Sequence, residues 1–338
     1  MTDRPVLRLA TRGSPLALWQ ADRVAGLLGR VGITTSVVVV ETMGDRRTDV
    51  PLDQLGGQGV FVKEVQAAVV RGDADAAVHS AKDLPADPAL ATPGLVLAAF
   101  PERVDTRDLL VGGRLDSLPT GATVATGSAR RRVQLANLRP DLTFAGLRGN
   151  LATRLAVAGT GGVDAVVVAK AAVDRLGWTP PDGLETEVLA PQVMLPQVGQ
   201  GALAVECRID DTATRVALEA IDDPGVAALV AAERAFLAEL GGGCTLPVGA
   251  NAQWAVTGQE RGPETERASG SESGTGSGPG RLVLAAMLAS ADGVVVLRHT
   301  AEGDAPDELG RRTARYLLDD AGGRDLGDWS PLPGGAGR

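Results

Sequence analysis

Lys82 and Asp83 form the first group of residues that could do chemistry. They stand side by side in the segment 78–85 (VHSAKDLP), directly after an apolar run that predicts a strand. At the end of a strand, Asp83 could stabilise a developing positive charge or relay a proton, and Lys82 could bind a carboxylate. A solvated turn before a proline contains the same letters, so the pattern alone leaves both interpretations open.

Cys244 is the second candidate, because it follows three glycines and is predicted to lie at the tip of a loop. A thiol in such a place could act as a nucleophile or as a covalent anchor, although an incidental exposed cysteine would have the same spacing. Cys207 lies in an apolar strand pattern and is predicted to be an inert core thiol. Two cysteines and two histidines indicate neither a disulfide framework nor a metal site.

Three segments share one arrangement, in which a strand ends, a glycine permits a turn and a polar residue caps a helix. They are 11–17 (TRGSPLA), 125–132 (ATGSARRR) and 147–154 (LRGNLATR). The free N–H groups and the dipole of such a helix start bind anions, and each segment adds arginine. We therefore predict a ligand with several carboxylates or phosphates, although capped surface helices and a solvated basic face would also fit. No glycine-rich nucleotide motif is present.

The three arginines of 130–132 occupy the first turn of a predicted helix, where the helix dipole disfavours cations. A negatively charged partner would remove this conflict. Because successive helical residues point about 100° apart, we expect at most two of the three arginines to face one ligand.

Composition limits the possible partners. The formal net charge of -9 argues against a general binder of nucleic acid or of anionic membranes. Of 33 basic residues only Lys63, Lys82 and Lys170 are lysines, so a lone arginine carries little weight. The N-terminal residues lack the pattern of a signal peptide and no apolar run is long enough to span a bilayer, which predicts a cytoplasmic protein.

The elements that would position these residues follow the α/β pattern over about the first two-thirds of the chain. Amphipathic helices are predicted around 18–28 and 62–69, and later an Ala-rich helix at 226–240 and a last helix near 307–318. Several strands are continuous Val, Ala and Leu runs, which suits sheets covered on both faces. The predicted strands are 6–10, 36–41, 75–78, 95–100, 124–126, 164–168, 202–207, 282–288 and 294–298.

Two polar or Pro/Gly-rich stretches, 101–107 and 195–201, are predicted to cross between domains, with the ligand cleft between the two domains that they join. The stretch 258–280 has almost no apolar residue and predicts a disordered insertion, and the tail 330–338 is predicted to be loose. The predicted domains are 1–102 plus 200–222, then 103–199, then 223–330.

Taken together, these segments are similar to the hydroxymethylbilane synthase (porphobilinogen deaminase) family over nearly the whole chain. Each motif alone is only moderately specific, but six in the same order are very hard to obtain by chance. The motifs are 10–17 (ATRGSPLA), 59–64 (GVFVKE), 78–85 (VHSAKDLP), 147–150 (LRGN), 195–202 (LPQVGQGA) and 242–249 (GGCTLPVG).

The resemblance implies a fold of three domains. The first two resemble type II periplasmic binding proteins with a cleft between them, and the third is a small α+β domain that carries the cysteine loop. It also implies a transferase of tetrapyrrole and haem biosynthesis, which condenses four porphobilinogen molecules head to tail with loss of ammonia and releases hydroxymethylbilane by hydrolysis. The expected protein is a monomer without nucleic-acid or membrane partners and without a metal.

The resemblance also implies roles for single residues. Cys244 matches the cysteine that holds a dipyrromethane cofactor by a thioether, and Asp83 matches the catalytic carboxylate near the pyrrole nitrogens. Gln200 matches a glutamine that lines the cleft. The positions that match binding sites for acetate and propionate side chains are Arg12, Ser14, Lys82, Thr126, Ser128, Arg130, Arg131, Arg148, Arg154 and Arg175.

The chain departs from the family pattern in a predicted mobile lid at 45–59, where Gln54 and Gln58 stand at positions that often carry lysine. The main alternative is a two-domain anion-binding solute or sensor protein without catalysis. The lack of a signal peptide and of an N-terminal DNA-binding segment weighs against it. A cysteine-nucleophile transferase for another anionic substrate is the other alternative, but no partner histidine is evident for it.

Overall fold

The computed structural model describes residues 6–41, 62–241, 247–255 and 280–326. Several positions that the sequence analysis singled out lie outside the described residues. They are Cys244, the predicted lid with Gln54 and Gln58, all but the last residue of the predicted insertion 258–280, and the tail 330–338.

The strands of the described residues correspond to the predicted ones within one or two residues at most ends, and four further strands were not predicted. In chain order the strands are β1 (Leu7–Arg12), β2 (Thr35–Val40), β3 (Ala76–Ser80), β4 (Leu95–Ala99), β5 (Asp108–Val111), β6 (Thr123–Ala125), β7 (Thr143–Ala145), β8 (Ala165–Ala169), β9 (Thr186–Leu189), β10 (Leu203–Arg208), β11 (Val248–Trp254), β12 (Leu282–Ala289) and β13 (Val296–Gly303).

The helices begin at capped or proline-bearing positions in most cases. In chain order they are α1 (Pro15–Arg30), α2 (Lys63–Val70), α3 (Ala129–Leu138), α4 (Leu151–Leu155), α5 (Lys170–Arg175), α6 (Thr212–Glu219), α7 (Pro224–Glu239) and α8 (Pro306–Arg315). Among these helices, none combines the length and the apolar character that crossing a bilayer requires.

The first sheet has the strand order β2-β1-β3-β10-β4. Strands β1, β2 and β3 run parallel, whereas β10 is antiparallel to both of its neighbours. Its apolar strands are covered on both faces, as their Val/Ala/Leu runs predict: α1 packs with Val24 and Leu28 on one face, and α2 packs with Val65 and Val69 on the other.

The second sheet, with the order β7-β6-β8-β5-β9, repeats this plan, since β6, β7 and β8 are parallel and β5 is antiparallel to its neighbours. In each sheet the antiparallel strand follows a crossing of the chain from the other sheet. The third sheet, β11-β12-β13, is antiparallel and packs on α7 and α8 through Phe236, Leu284 and Leu309. The predicted fold class, two such α/β units and a small α+β unit, is confirmed.

This topology brings distant segments to one place. The carboxyl ends of β1 and β3 in the first sheet and of β7 and β8 in the second lie at one cleft. Segments 11–17, 78–85 and 147–154 include or follow the ends of β1, β3 and β7, and residues of all three line this cleft, as the crossover rule for α/β sheets predicts.

Candidate active site

A cavity of about 730 Å³ lies between the first and second sheets. This volume is in the range of small-molecule sites in proteins. Part of its wall is apolar and includes Leu16, Val39, Val168 and Leu176. The charged side chains of its described lining are the carboxylates Asp83 and Glu41 and the cations Arg12, Lys82, Arg131, Arg148 and Arg154.

The start of α1 forms one end of the cavity. Ser14 caps the helix, because its hydroxyl accepts a hydrogen bond from the backbone N–H of Ala17 at 3.3 Å, and Pro15 occupies the first helical position. Arg12 is the last residue of β1, and Arg12 and Ser14 both line the cavity. The predicted anion site at this helix start therefore has the geometry that the sequence indicated.

Lys82 and Asp83 lie on a single turn of 3-10 helix, Ala81–Asp83, that follows β3. Packing in the core fixes this turn, because Ala81 is buried in a cluster with Leu84 and with Val230 of α7. Both charged side chains therefore project from a packed support into the cavity wall. The Nζ atom of Lys82 donates to Oε1 of Gln200 at 3.3 Å.

Burial lowers the pKa of the Lys82 ammonium to about 8, against the opposing attraction of the neighbouring Asp83 carboxylate. The positive charges of Arg131 and Arg130 add to the lowering. Lys82 can therefore change its charge close to neutral pH, whereas the arginines around it remain charged.

The third segment places two arginines on the cavity wall. Asn150 caps α4 by accepting from the N–H of Thr153 at 2.9 Å, as predicted. Gly149 has φ +94°, and a Cβ there would come within 2.9 Å of the Thr153 side chain, so this turn requires glycine. Arg154 donates from Nε to the carbonyl of Gly149 at 2.8 Å, and Arg148 and Arg154 both line the cavity.

Arg130, which the resemblance assigns to the carboxylates of the ligand, does not line the cavity in the described structure. Its side chain is almost completely buried, and its Nη1 atom donates to Oδ2 of Asp108 at 2.8 Å and to the carbonyl of Leu195 at 2.7 Å. Arg131 contacts the same carboxylate but also reaches the cavity, and Arg132 donates to the carbonyl of Ala291 instead. One arginine of the three thus lines the site.

Thr126 and Ser128 also lie outside the cavity lining and act on the backbone. Ser128 caps α3 by accepting from the N–H of Arg131 at 3.4 Å, and Thr126 Oγ1 accepts from the N–H of Ser128 at 3.2 Å. They fix the start of the arginine-bearing helix, and the contact with ligand carboxylates that the resemblance implies for them stays a prediction.

Arg175 and Gln200 hold the two sheets together beside the cavity and do not line it. The Nη2 atom of Arg175 donates to the carbonyl of Gly201 at 2.8 Å, and its guanidinium lies 5.5 Å from the ring centroid of Trp19 on α1. Burial lowers the pKa of Arg175 to about 10. Gln200 is buried and donates from Nε2 to Asp108 Oδ1 at 2.9 Å.

Asp108, at the start of β5, is the residue that the sequence analysis missed. It is completely buried and supplies the negative partner that the arginines of α3 require. A single aspartate before a short apolar run gives no signal in the sequence, because its partners lie 22 to 92 positions away.

Cys207 is buried in the first sheet, as predicted, and burial raises the pKa of its thiol to about 11. Such a thiol is a poor nucleophile at neutral pH. No group of metal-ligating side chains is found in the part of the chain that the structure describes.

Two family models match the chain. One is described as porphobilinogen deaminase, dipyromethane cofactor binding domain, and matches residues 7–216; the other is described as porphobilinogen deaminase, C-terminal domain, and matches residues 227–319. The chain is 44% identical to the porphobilinogen deaminase of Acidothermus cellulolyticus over 322 residues, which cover 93% of this chain and 88% of that protein. It is 40% identical to that of Desulfitobacterium hafniense over 317 residues, which cover 92% and 94% of the two chains.

Proposed function

The chain belongs to the porphobilinogen deaminase family, and from this premise we propose how its residues divide the work of the reaction. The protein is a transferase of tetrapyrrole biosynthesis with a dipyrromethane cofactor, and it acts as a hydroxymethylbilane synthase. Four porphobilinogen molecules are joined with loss of ammonia, and hydrolysis releases the linear product. Family membership decides against the alternative of a solute or sensor protein without catalysis.

The observation that carries the residue assignments is the wall of the cavity, where five cations outnumber the two carboxylates, Asp83 and Glu41, of the described lining. Each porphobilinogen brings an acetate and a propionate, so negative charge accumulates with every addition. Guanidinium groups bind carboxylates through two parallel hydrogen bonds. In a protein of net charge -9, such a ligand requires a local set of cations of this kind.

The residues present also fit the cofactor. A dipyrromethane made from two porphobilinogen units carries four carboxylates on two flat apolar rings, and the cavity offers five cations in its described part and an apolar wall. We assign its carboxylates to Arg131, Arg148, Arg154 and Lys82, and those of the incoming substrate to Arg12 and the α1 start. When bound, the cofactor supplies the pyrrole carbon to which the growing chain is joined.

Asp83 is assigned to the reacting pyrrole nitrogens. When the aminomethyl C–N bond of the substrate breaks and ammonia leaves, positive charge spreads onto the pyrrole nitrogen of the substrate. A carboxylate fixed on a short turn stabilises that charge without having to reorganise. Its support by Ala81 and Leu84 keeps it in place while the chain lengthens.

We assign the attachment of the cofactor to Cys244, which lies outside the described residues. The assignment is supported by the burial and raised pKa of Cys207, the other cysteine of the chain. The proposed domains remain 1–102 plus 200–222, 103–199 and 223–330. They are supported by the three sheets, because the chain leaves the first sheet after Ala99 and re-enters it at Leu203. We also propose a monomeric cytoplasmic enzyme; sedimentation of the purified chain would test the monomeric state, and fractionation of the producing cells the compartment.

The assignment of Asp83 is tested by Asp83→Asn, which keeps the shape of the side chain and removes its charge. Turnover of porphobilinogen should fall by about 10² to 10³, the usual effect of removing one preorganised electrostatic group. The matched control is Asp87→Asn, in the same segment, because Asp87 caps the next short turn away from the cavity. Near-normal turnover by Asp83→Asn, or an equal loss in the control, would contradict the assignment.

A further inference from the structure

Asp108 lies where the chain first enters the second sheet, and its carboxylate receives hydrogen bonds from both large parts of the molecule. Arg130 Nη1 donates to Oδ2 at 2.8 Å, Arg131 Nη2 donates to Oδ1 at 2.8 Å, and Gln200 Nε2 donates to Oδ1 at 2.9 Å. Burial alone would raise the pKa of Asp108, but the charges of Arg130 and Arg131 hold it far below its usual range. The group is therefore a permanent buried anion.

We propose that Asp108 is a positioning residue for the condensation reaction: it aims Arg131 into the cavity and, through Gln200, holds Lys82 beside Asp83. This inference rests on the proposed function, in which Arg131 and Lys82 bind carboxylates of the pyrrole chain. Asp108 itself does not line the cavity.

The first arm of the arrangement is the guanidinium of Arg131. Its Nε and Nη2 atoms donate to Oδ1 of Asp108 at 3.2 and 2.8 Å, and its Nη1 atom donates to the carbonyl of Val167 at 2.9 Å. A guanidinium has five N–H bonds. Two therefore remain without a described protein acceptor, on a side chain that lines the cavity. Anchoring three donors on the protein fixes the direction in which the other two can meet a substrate carboxylate.

The second arm runs through the side-chain amide of Gln200. A carboxylate only accepts hydrogen bonds, so the NH₂ group of Gln200 must face Asp108, and it also donates to the carbonyl of Thr106 at 2.8 Å. The amide oxygen then faces Lys82 and accepts from its Nζ at 3.3 Å. If the charge at position 108 were lost, the NH₂ group would keep its hydrogen bond to Thr106 but lose the stronger one to a charged acceptor, so the amide oxygen would be held less firmly toward Lys82.

The charges around Lys82 make this arrangement measurable. Asp83 and Asp108 raise the pKa of Lys82, whereas burial, Arg131 and Arg130 lower it. Removing the charge of Asp108 therefore leaves Lys82 with a lower pKa, and its proton is lost at lower pH. A role limited to stabilising the fold would not shift the pH dependence of substrate binding.

Asp108→Asn is the test, with Asp141→Asn as the matched control. Asp141 pairs with Arg139 at 2.7 Å in the same sheet unit but does not line the cavity. We expect Asp108→Asn to raise the KM for porphobilinogen by tenfold or more in the cofactor-carrying fraction, with a smaller change in kcat. The alkaline limb of kcat/KM should move to lower pH. Asp141→Asn should keep the wild-type constants.

A KM and a pH profile like those of the wild type in folded Asp108→Asn would overturn the inference, and so would a fall in kcat at unchanged KM. If the buried arginines prevent this variant from folding, Asp108→Asn/Arg130→Gln is compared with Arg130→Gln alone, since the double change removes one charge of each sign. Equal KM values in that pair would also overturn it. Failure of the wild type and of Asp141→Asn to consume porphobilinogen would instead contradict the proposed function.

Discussion

Replacing Arg154 by glutamine tests whether the cationic wall of the cavity acts through position and not merely through overall charge. Arg154 lines the cavity and makes one described hydrogen bond through its side chain, from Nε to the carbonyl of Gly149. Its other N–H bonds lie on the guanidinium end. The substitution therefore removes a carboxylate-binding group while leaving the cap of α4 by Asn150 intact.

The size of the effect follows from one charged hydrogen bond, worth about 1.5–3 kcal/mol. At about 1.4 kcal/mol for each factor of ten, Arg154→Gln should weaken binding of the pyrrole carboxylates by about ten- to 150-fold. The loss should appear as a raised KM for porphobilinogen and a smaller fraction of protein that carries the cofactor. Thermal unfolding should change little, because α4 is short and lies at the surface of the cleft.

The assay follows consumption of porphobilinogen at several substrate concentrations, with Arg132→Gln as the control. Arg132 lies on α3, loses the same charge and is exposed away from the cavity. A wild-type KM in Arg154→Gln would refute the reasoning. An equal rise in KM in Arg132→Gln would also refute it, since the effect would then come from net charge.

Three further predictions concern other parts of the molecule. Lys82→Arg should move the alkaline limb of the kcat/KM profile from about pH 8 to higher pH, because Lys82 loses its proton near its pKa of about 8 and arginine does not. An alkaline limb at the wild-type pH would show that the limb does not arise from Lys82. Glu233→Gln should lower the free energy of unfolding by about 3–5 kcal/mol, since it leaves the buried Arg103 without its ion-pair partner. Glu239→Gln, at the exposed pair with Arg315, should lower it by about 1 kcal/mol or less. Urea unfolding measures both values, and equal losses would contradict the argument from burial. Cys207→Ala should still carry the cofactor, and the mass of the intact variant checks this. A variant without the added cofactor mass would place the attachment at Cys207.

Local patterns predicted the elements and the helix caps well. Ser14, Ser128 and Asn150 each cap the helix that the sequence indicated. The reason is that strand runs, turns and caps depend on neighbours within a few positions. The short strands β5 and β9 were not predicted, because four apolar or mixed residues in a row carry little periodic signal.

The division of labour among the arginines could not be predicted in the same way. The helical spacing predicts that at most two of residues 130–132 face one ligand, but it could not show that Arg130 would pair with the buried Asp108. Nor could it show that Arg175 packs over Trp19 instead of on the cavity wall. These outcomes depend on which strands meet in the fold, and contacts across 22 or more positions leave no local pattern.

The most direct test of the account is the mass of the intact purified protein, followed by mapping of its peptides. The account predicts a mass greater than that of the amino acids by one dipyrromethane, carried by the peptide that contains Cys244 and absent from Cys244→Ala. A mass equal to that of the polypeptide alone, unchanged after incubation with porphobilinogen, would contradict it.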